Sequence, residues 1–144
     1  MPSAVDILYY APGGGFGHAT RAAAILRQVR RISAARLLAV VTTSLTDPLD
    51  REALPWHRPP ALTPEALRAD VQALLAQAQP RVLVLDTFPC GIVNELAALP
   101  AGPRTVLIAR RLHADYAAWG PPAWARFHRV LAAEPWDAAP APPA

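Results

Sequence analysis

The chain has 144 residues, 53% of them hydrophobic and 17% charged, with a formal net charge of +3. Those figures describe one globular domain that buries about 70% of the surface of its unfolded chain, and they exclude a disordered polypeptide. A single cysteine, Cys90, excludes an internal disulfide framework and a four-cysteine zinc site.

Val5 to Tyr10 is a short apolar run that stops at Ala11-Pro12-Gly13-Gly14-Gly15 and reads as the first strand. From His18 to Arg31 the apolar residues Ala22, Ile25, Leu26 and Val29 fall at helical spacing. Leu37 to Val41 is a second buried strand. The segment Ser44 to Ala61 holds Asp47, Pro48, Trp56, His57, Pro59 and Pro60, and reads as a loop flanking a short strand. Thr63-Pro64-Glu65 opens a helix with a cap, a proline at its first position and an acid in its first turn, and that helix runs to about Gln79. Val82 to Leu85 is a strand ending at Asp86, and Gly91 to Leu99 reads as a short helix. Val106 to Ala109 and Arg129 to Ala133 are the remaining strands. Pro135 to Ala144 is rich in proline and alanine and reads as a linker or tail after a domain of residues 1–134.

Continuous apolar strands imply burial on both faces, and strands alternating with helices imply right-handed parallel crossovers. The expected fold is therefore an α/β Rossmann-like parallel sheet of about six strands, with helices on both faces. No apolar run approaches the roughly 20 residues that cross a bilayer, so no transmembrane segment is expected. The start, Met-Pro-Ser-Ala-Val-Asp, lacks the basic region of a secretory signal, so a cytoplasmic protein is expected. All 14 positive residues are arginine, scattered along the chain, so no nucleic-acid partner is expected.

The loop after the first strand carries the most chemistry. In an open parallel sheet, ligands bind beyond the carboxyl ends of the strands. Glycines let a ligand approach the backbone, and the free N–H groups of a helix start favour an anion. A P-loop needs a lysine that this chain does not have. A dinucleotide fingerprint fails too, because its third glycine falls on His18 or Thr20, and Val41 is followed by Thr42, Thr43 and Ser44 instead of an acid.

What the loop spells is G-x-G-x-G-H-x-x-R, carried by Gly13, Gly15, Gly17, His18 and Arg21, with Gly14 between the first two glycines. This resembles the N-terminal, acceptor-side domain of GT-B glycosyltransferases, especially those related to the bacterial peptidoglycan N-acetylglucosaminyltransferase and the UDP-glycosyltransferases. Asp86-Thr87-Phe88-Pro89-Cys90-Gly91, followed by Glu95-Leu96, resembles the D-x-F-P-x-G-x-x-x-E-L segment of that group, and Leu131 to Pro135 is a weaker match to the end of such domains.

The resemblance implies a transferase that moves a sugar from a nucleotide sugar, a UDP-sugar in the related groups, to an acceptor hydroxyl. The acceptor would be a small molecule or a lipid-linked sugar, which extends the expected location to the inner face of a membrane. It implies a second, donor-binding domain beginning where this sequence stops, so a separate C-terminal half or self-association is expected. No other cofactor and no metal is expected. The matching histidine of the family deprotonates the acceptor hydroxyl or contacts phosphate, which puts His18 in that role. The alternatives are a non-catalytic module binding a phosphorylated sugar or lipid, and a remnant that serves protein interaction.

The residues themselves leave several roles open. His18 at a helix start is placed to act as a base in its neutral form or simply to cap backbone. Asp86 either orients His18 or caps the following turn. Arg21, one turn after His18, reaches a phosphate or a carboxylate beside the loop, or lies in solvent. Arg110, Arg111 and His113 follow the Val106–Ala109 strand and suit a diphosphate or an interdomain contact, or a solvated loop. Glu95 anchors a loop or packs on the surface. Cys90 reads as a small turn residue, and His57 and His128 stand alone. Trp119, Trp124, Phe127 and Trp136 stack on sugars, pack in the core or form a docking face.

Overall fold

Short runs, most of them apolar, become the strands of one sheet. The computed structural model describes residues 4–61, 63–110 and 121–133. β1 (Ile7–Ala11), β2 (Leu37–Val41), β3 (Trp56–His57), β4 (Val82–Asp86), β5 (Arg104–Ala109) and β6 (Arg129–Ala132) pair in parallel in the order β3-β2-β1-β4-β5-β6. The order reverses between β1 and β4, and that crevice is where ligands bind in such sheets. The ends of β1 and β4 border that crevice, with the end of β2 beside them.

Alternate residues of each strand feed two cores. Leu8, Tyr10, Leu38, Val40, Leu83, Leu85 and Leu107 face α3 (Pro64–Ala78), which contributes Val71, Leu74, Leu75 and Ala78. Tyr9, Ala11, Ala39, Val41, Val84 and Ile108 face the other side, where α1 (Phe16–Ile32) contributes Ala22, Ala23 and Leu26. The small residues of α1 let it lie close over β1 and β2. Thr63 caps α3 by accepting a hydrogen bond from the Ala66 N–H, and Gln79 ends it in the left-handed conformation at φ 45°.

Two local readings of the sequence are corrected. Within Ser44–Ala61 the short strand is present as β3, but Asp47–Arg51 forms a helix, α2, with a proline in its first turn. Gly91–Leu99 is not a helix. Ile92, Val93, Leu96 and Leu99 have helix-like spacing, yet Gly91 (φ 79°) and Asn94 (φ 59°) are left-handed, which breaks any ladder. The buried Glu95 carboxylate replaces that ladder. Its Oε1 accepts from the Ile92 N–H and the Tyr10 hydroxyl, and its Oε2 from the Val93 N–H. Burial pushes the ionisation of Tyr10 upward, and the Glu95 charge beside it adds to the shift.

The same connection is held from a distant part of the chain. After α4 (Pro121–Trp124), the Arg126 guanidinium donates to the carbonyls of Pro89, Leu96 and Ala97, and contacts Cys90 Sγ at 2.7 Å. Trp124 and Phe127 pack on the α3 core. His128 accepts the Thr105 N–H at Nδ1, between the starts of β5 and β6. Arg111, His113, Trp119, Trp136 and the tail from 134 to 144 lie outside the described residues. No helix among the described residues is long and apolar enough to cross a membrane.

Two stability predictions follow from this framework. A Cβ on Gly91 would lie 2.1 Å from the Glu95 carboxyl carbon and would sit at an unfavourable φ, whereas one on Gly102 would meet nothing. Gly91→Ala is expected to cost more than about 1 kcal/mol in urea denaturation, with Gly102→Ala within about 0.5 kcal/mol of the parent. At the amino-terminal edge, hydrogen bonds from Arg36 hold the Asp6 carboxyl down to about 2. A carboxyl depressed on folding stabilises the native state above its unfolded value of about 4, and that contribution disappears as pH falls through about 2. Asp6→Asn is therefore expected to lower the melting temperature at pH 7, with the gap to wild type closing between about pH 4 and pH 2.

Candidate functional site at the carboxyl edge

Asp86 is the last residue of β4 and is fully buried. Its register with Ile108 places it on the α1 side of the sheet, beside the first turns of that helix. Arg21 Nε donates to Asp86 Oδ1 at 2.9 Å, and His18 Nδ1 lies 3.3 Å from Oδ2. His18 and Arg21 are three residues apart, so one helix face presents both to one carboxylate. The Thr87 hydroxyl donates to Asp86 Oδ1 at 2.9 Å and accepts from Arg21 Nη2 at 3.3 Å. Both oxygens of Asp86 thus have a charged or hydrogen-bonding partner, as a buried charge demands.

The backbone after Asp86 is strained. The Phe88 N–H donates to the Asp86 carbonyl at 2.8 Å, which makes a γ-turn with Thr87 at its centre. Thr87 has φ 71°, an uncommon value for a β-branched residue. The turn is fixed by the Thr87 N–H, which donates to the Ile108 carbonyl. It carries Phe88 to the His18 ring, with centroids 5.7 Å apart. Beneath them the Tyr9 hydroxyl is buried without a hydrogen bond of good geometry. Burial pushes its ionisation upward, with the nearby Asp86 charge reinforcing the shift.

The glycine loop closes the other side. Gly13 has φ 137°, and a Cβ there would lie 2.6 Å from Nε2 and Cδ2 of His18. This glycine makes room for the imidazole. Gly14, Gly15 and Gly17 are different, since a Cβ on each would meet nothing within 4 Å and none has a positive φ. Gly15 caps α1 without a side chain, and the first turn carries no acid, so its N–H groups have no side-chain cap. Thr42 holds the loop by accepting the Gly13 N–H at 2.7 Å and donating to the Gly13 carbonyl, while Thr43 donates to the Gly14 carbonyl. The exposed side chains of Phe16 and Leu45 flank it.

The structure thus gathers His18, Asp86, Arg21 and Gly13–Gly17 at one strand edge. Arg110 follows β5 at the same edge, and Arg111 lies outside the described residues. The roles of Thr42, Thr43 and Thr87 escape a sequence reading that looks after β2 only for an acid. Their signal is position, since hydroxyls directly after β2 and β4 face the loop after β1. Among the described residues no group of three or more His, Cys, Asp or Glu is placed to hold a metal ion.

This arrangement is a GT-B-like Rossmann domain. It is similar to UDP-N-acetylglucosamine 2-epimerase, with a TM-score of 0.61 and 12% identity over 90% of this chain and 42% of the epimerase. It is also similar to apo UGT2 of Phytolacca americana, with a TM-score of 0.54 and 15% identity over 74% of this chain and 30% of UGT2. The chain therefore spans less than half the length of either protein. No family model matches the sequence, and no curated protein matches it.

The contact favours one tautomer of the neutral ring. A hydrogen bond to a carboxylate needs the proton on Nδ1, which in the neutral ring leaves Nε2 as the acceptor. Long-range proton–nitrogen spectra are expected to show the Nδ1–H form of His18 in the neutral wild type and to lose that preference in Asp86→Asn. A dominant Nε2–H form in the wild type would refute the pairing.

Proposed function

We propose that this chain is the acceptor-side half of a glycosyltransferase, with His18 as the general base. The observation that carries the reading is the contact of His18 Nδ1 with the buried Asp86, which leaves Nε2 as a lone pair beside Gly13. In the proposed step the acceptor hydroxyl gives its proton to Nε2 while its oxygen bonds to the anomeric carbon. The bond from that carbon to the nucleotide diphosphate breaks, and the electron pair leaves with the diphosphate. Asp86 orients the ring and stabilises the imidazolium that forms. The first-turn amides of α1, with Gly14, Gly15 and Gly17, are offered to the developing phosphate charge. Gly13 keeps the imidazole in place, and Arg110 and Arg111 are assigned to the diphosphate or to an interdomain contact.

The donor is taken to be a UDP-sugar, a class that the name of the epimerase neighbour supports. Its pocket would come from a further domain, on this polypeptide or another, in keeping with the 42% and 30% of the neighbours that the chain spans. The acceptor is a small molecule or a lipid-linked sugar, and the enzyme is assigned to the cytoplasm, at the membrane's inner face in the lipid-linked case.

A second reading rests on Arg21. Asp86 already gives Oδ1 to this guanidinium, which weakens its help to an imidazolium. A module that binds a phosphorylated sugar without turnover would need only the loop and a fixed histidine. The two readings separate when UDP release from UDP-sugars is measured on the complex isolated with the tagged chain. His18→Ala is expected to lower the rate by about 10²–10⁴-fold, with acceptor affinity little changed. A rate within about threefold of wild type would remove His18 as the base. Phosphate-ester binding without UDP release in any complex would favour the module.

A further inference from the structure

A parallel sheet is covered on both faces, and here one face is covered only in part. On the α3 side, α3, the β4–β5 connection and the Trp124–Phe127 segment spread across the strands. On the other side α1 lies over β1 and β2, and α2 packs beside α1 toward β3. The strip over β4, β5 and β6 has no helix among the described residues.

Strand register defines what that strip presents. Its rows are Val82 beside Arg104, then Val84 and Val106 beside Arg129, then Asp86 and Ile108 beside Leu131. Val82 and Val106 are only half-buried and Leu131 is 53% exposed, whereas Val84, Ile108 and Asp86 are buried, so the open part of the strip is Val82, Val106 and Leu131 with the arginines beside them. One flank of α1 supplies the wall, with Ile25 and Val29 half-buried and Ile32 85% exposed. Those three follow one another by four and three residues, so they form one stripe. From β4 to β6 is two strand spacings, about 10 Å, which is the diameter of one α-helix.

Charge selects the occupant. Arg104 and Arg129 stand on the strip's lower rows, and Arg81 borders an open cleft of about 590 Å³ that runs into it past Ile7 and Val82. None of these three arginines has a side-chain hydrogen bond or ion pair among the described residues, and the one nearby acid, Asp6, is held by Arg36. A second copy related by a two-fold axis would bring the same guanidinium groups toward each other. We infer that the strip over β4, β5 and β6 docks an amphipathic helix of a partner polypeptide, with its apolar face on Val82, Val106 and Leu131 and acidic residues against Arg104 and Arg129. The strip adjoins the carboxyl edge at the Asp86 row, but its proposed contacts are Val82, Val106, Leu131, Arg104 and Arg129, and the inference does not depend on the transferase reading.

The test uses the full chain and two synthetic 16-residue helical peptides with the same leucine face, one flanked by glutamates and the other by lysines. The acidic peptide is expected to bind and to shift the amides of Val106, Leu131, Ile25 and Val29, and the lysine peptide to bind at least tenfold more weakly. Arg104→Glu combined with Arg129→Glu, and separately Leu131→Asp, are each expected to weaken the acidic peptide at least tenfold. All three positions are exposed, so the variants should keep the wild-type spectrum elsewhere. Equal binding of both peptides, or binding that ignores these variants, would overturn the proposal. So would concentration-dependent dimerisation abolished by Leu131→Asp, which would make a second copy the occupant. Binding that appears only after deletion of residues 134–144 would overturn it as well, by making the chain's own tail the occupant.

Discussion

Asp86 is a carboxylate with no exposed surface, and a charge in that position has to be compensated where it stands. Arg21 supplies the counter-charge, while Thr87 and His18 complete the contacts of the two oxygens. Much of the carboxyl edge is arranged around this requirement. It sets where the first turn of α1 must lie relative to β4, and it holds the imidazole against the glycine loop. It also accompanies the strained turn at Thr87, which brings Phe88 to the ring. The buried charge of the edge and its imidazole are thus parts of one cluster.

That cluster is possible because of the strand order. β1 and β4 are far apart in sequence but adjacent in the sheet, and each ends at the crevice where the winding reverses. The loop leaving β1 and the carboxylate ending β4 therefore meet without any long side chain having to bridge them. Thr42, directly after β2, fixes the loop from the third strand end. Three neighbouring strand ends define the position of one imidazole.

Much of this could be read from the sequence. The strands stand out because burial on both faces makes them continuous apolar runs, and α1 and α3 show helical spacing with recognisable ends. The gathering of His18, Arg21 and Asp86 at one edge follows from strand adjacency and direction alone. The misreadings are equally physical. A five-residue helix such as α2 is too short to show a period. Residues 91–99 show a period that they do not use, because Glu95 offers the backbone a different set of hydrogen bonds and two left-handed residues accept it. The interactions of Arg126 have no local signature at all, since all of its acceptors lie at least 29 residues away.

The Arg126 contacts also bear on the order of assembly. The connection after β4 has no helical ladder of its own, so part of its shape is lent by a side chain near the start of β6. Those contacts close loops of roughly 30 residues, and such closures come at an entropic cost before they are rewarded. During synthesis the first four strands and two long helices emerge well before Arg126 does. The Arg126 contacts with Pro89, Cys90, Leu96 and Ala97 become available only after the chain has been made past residue 126. The connection after β4 thus takes some of its hydrogen bonds from a residue made about 30 positions after the backbone it holds.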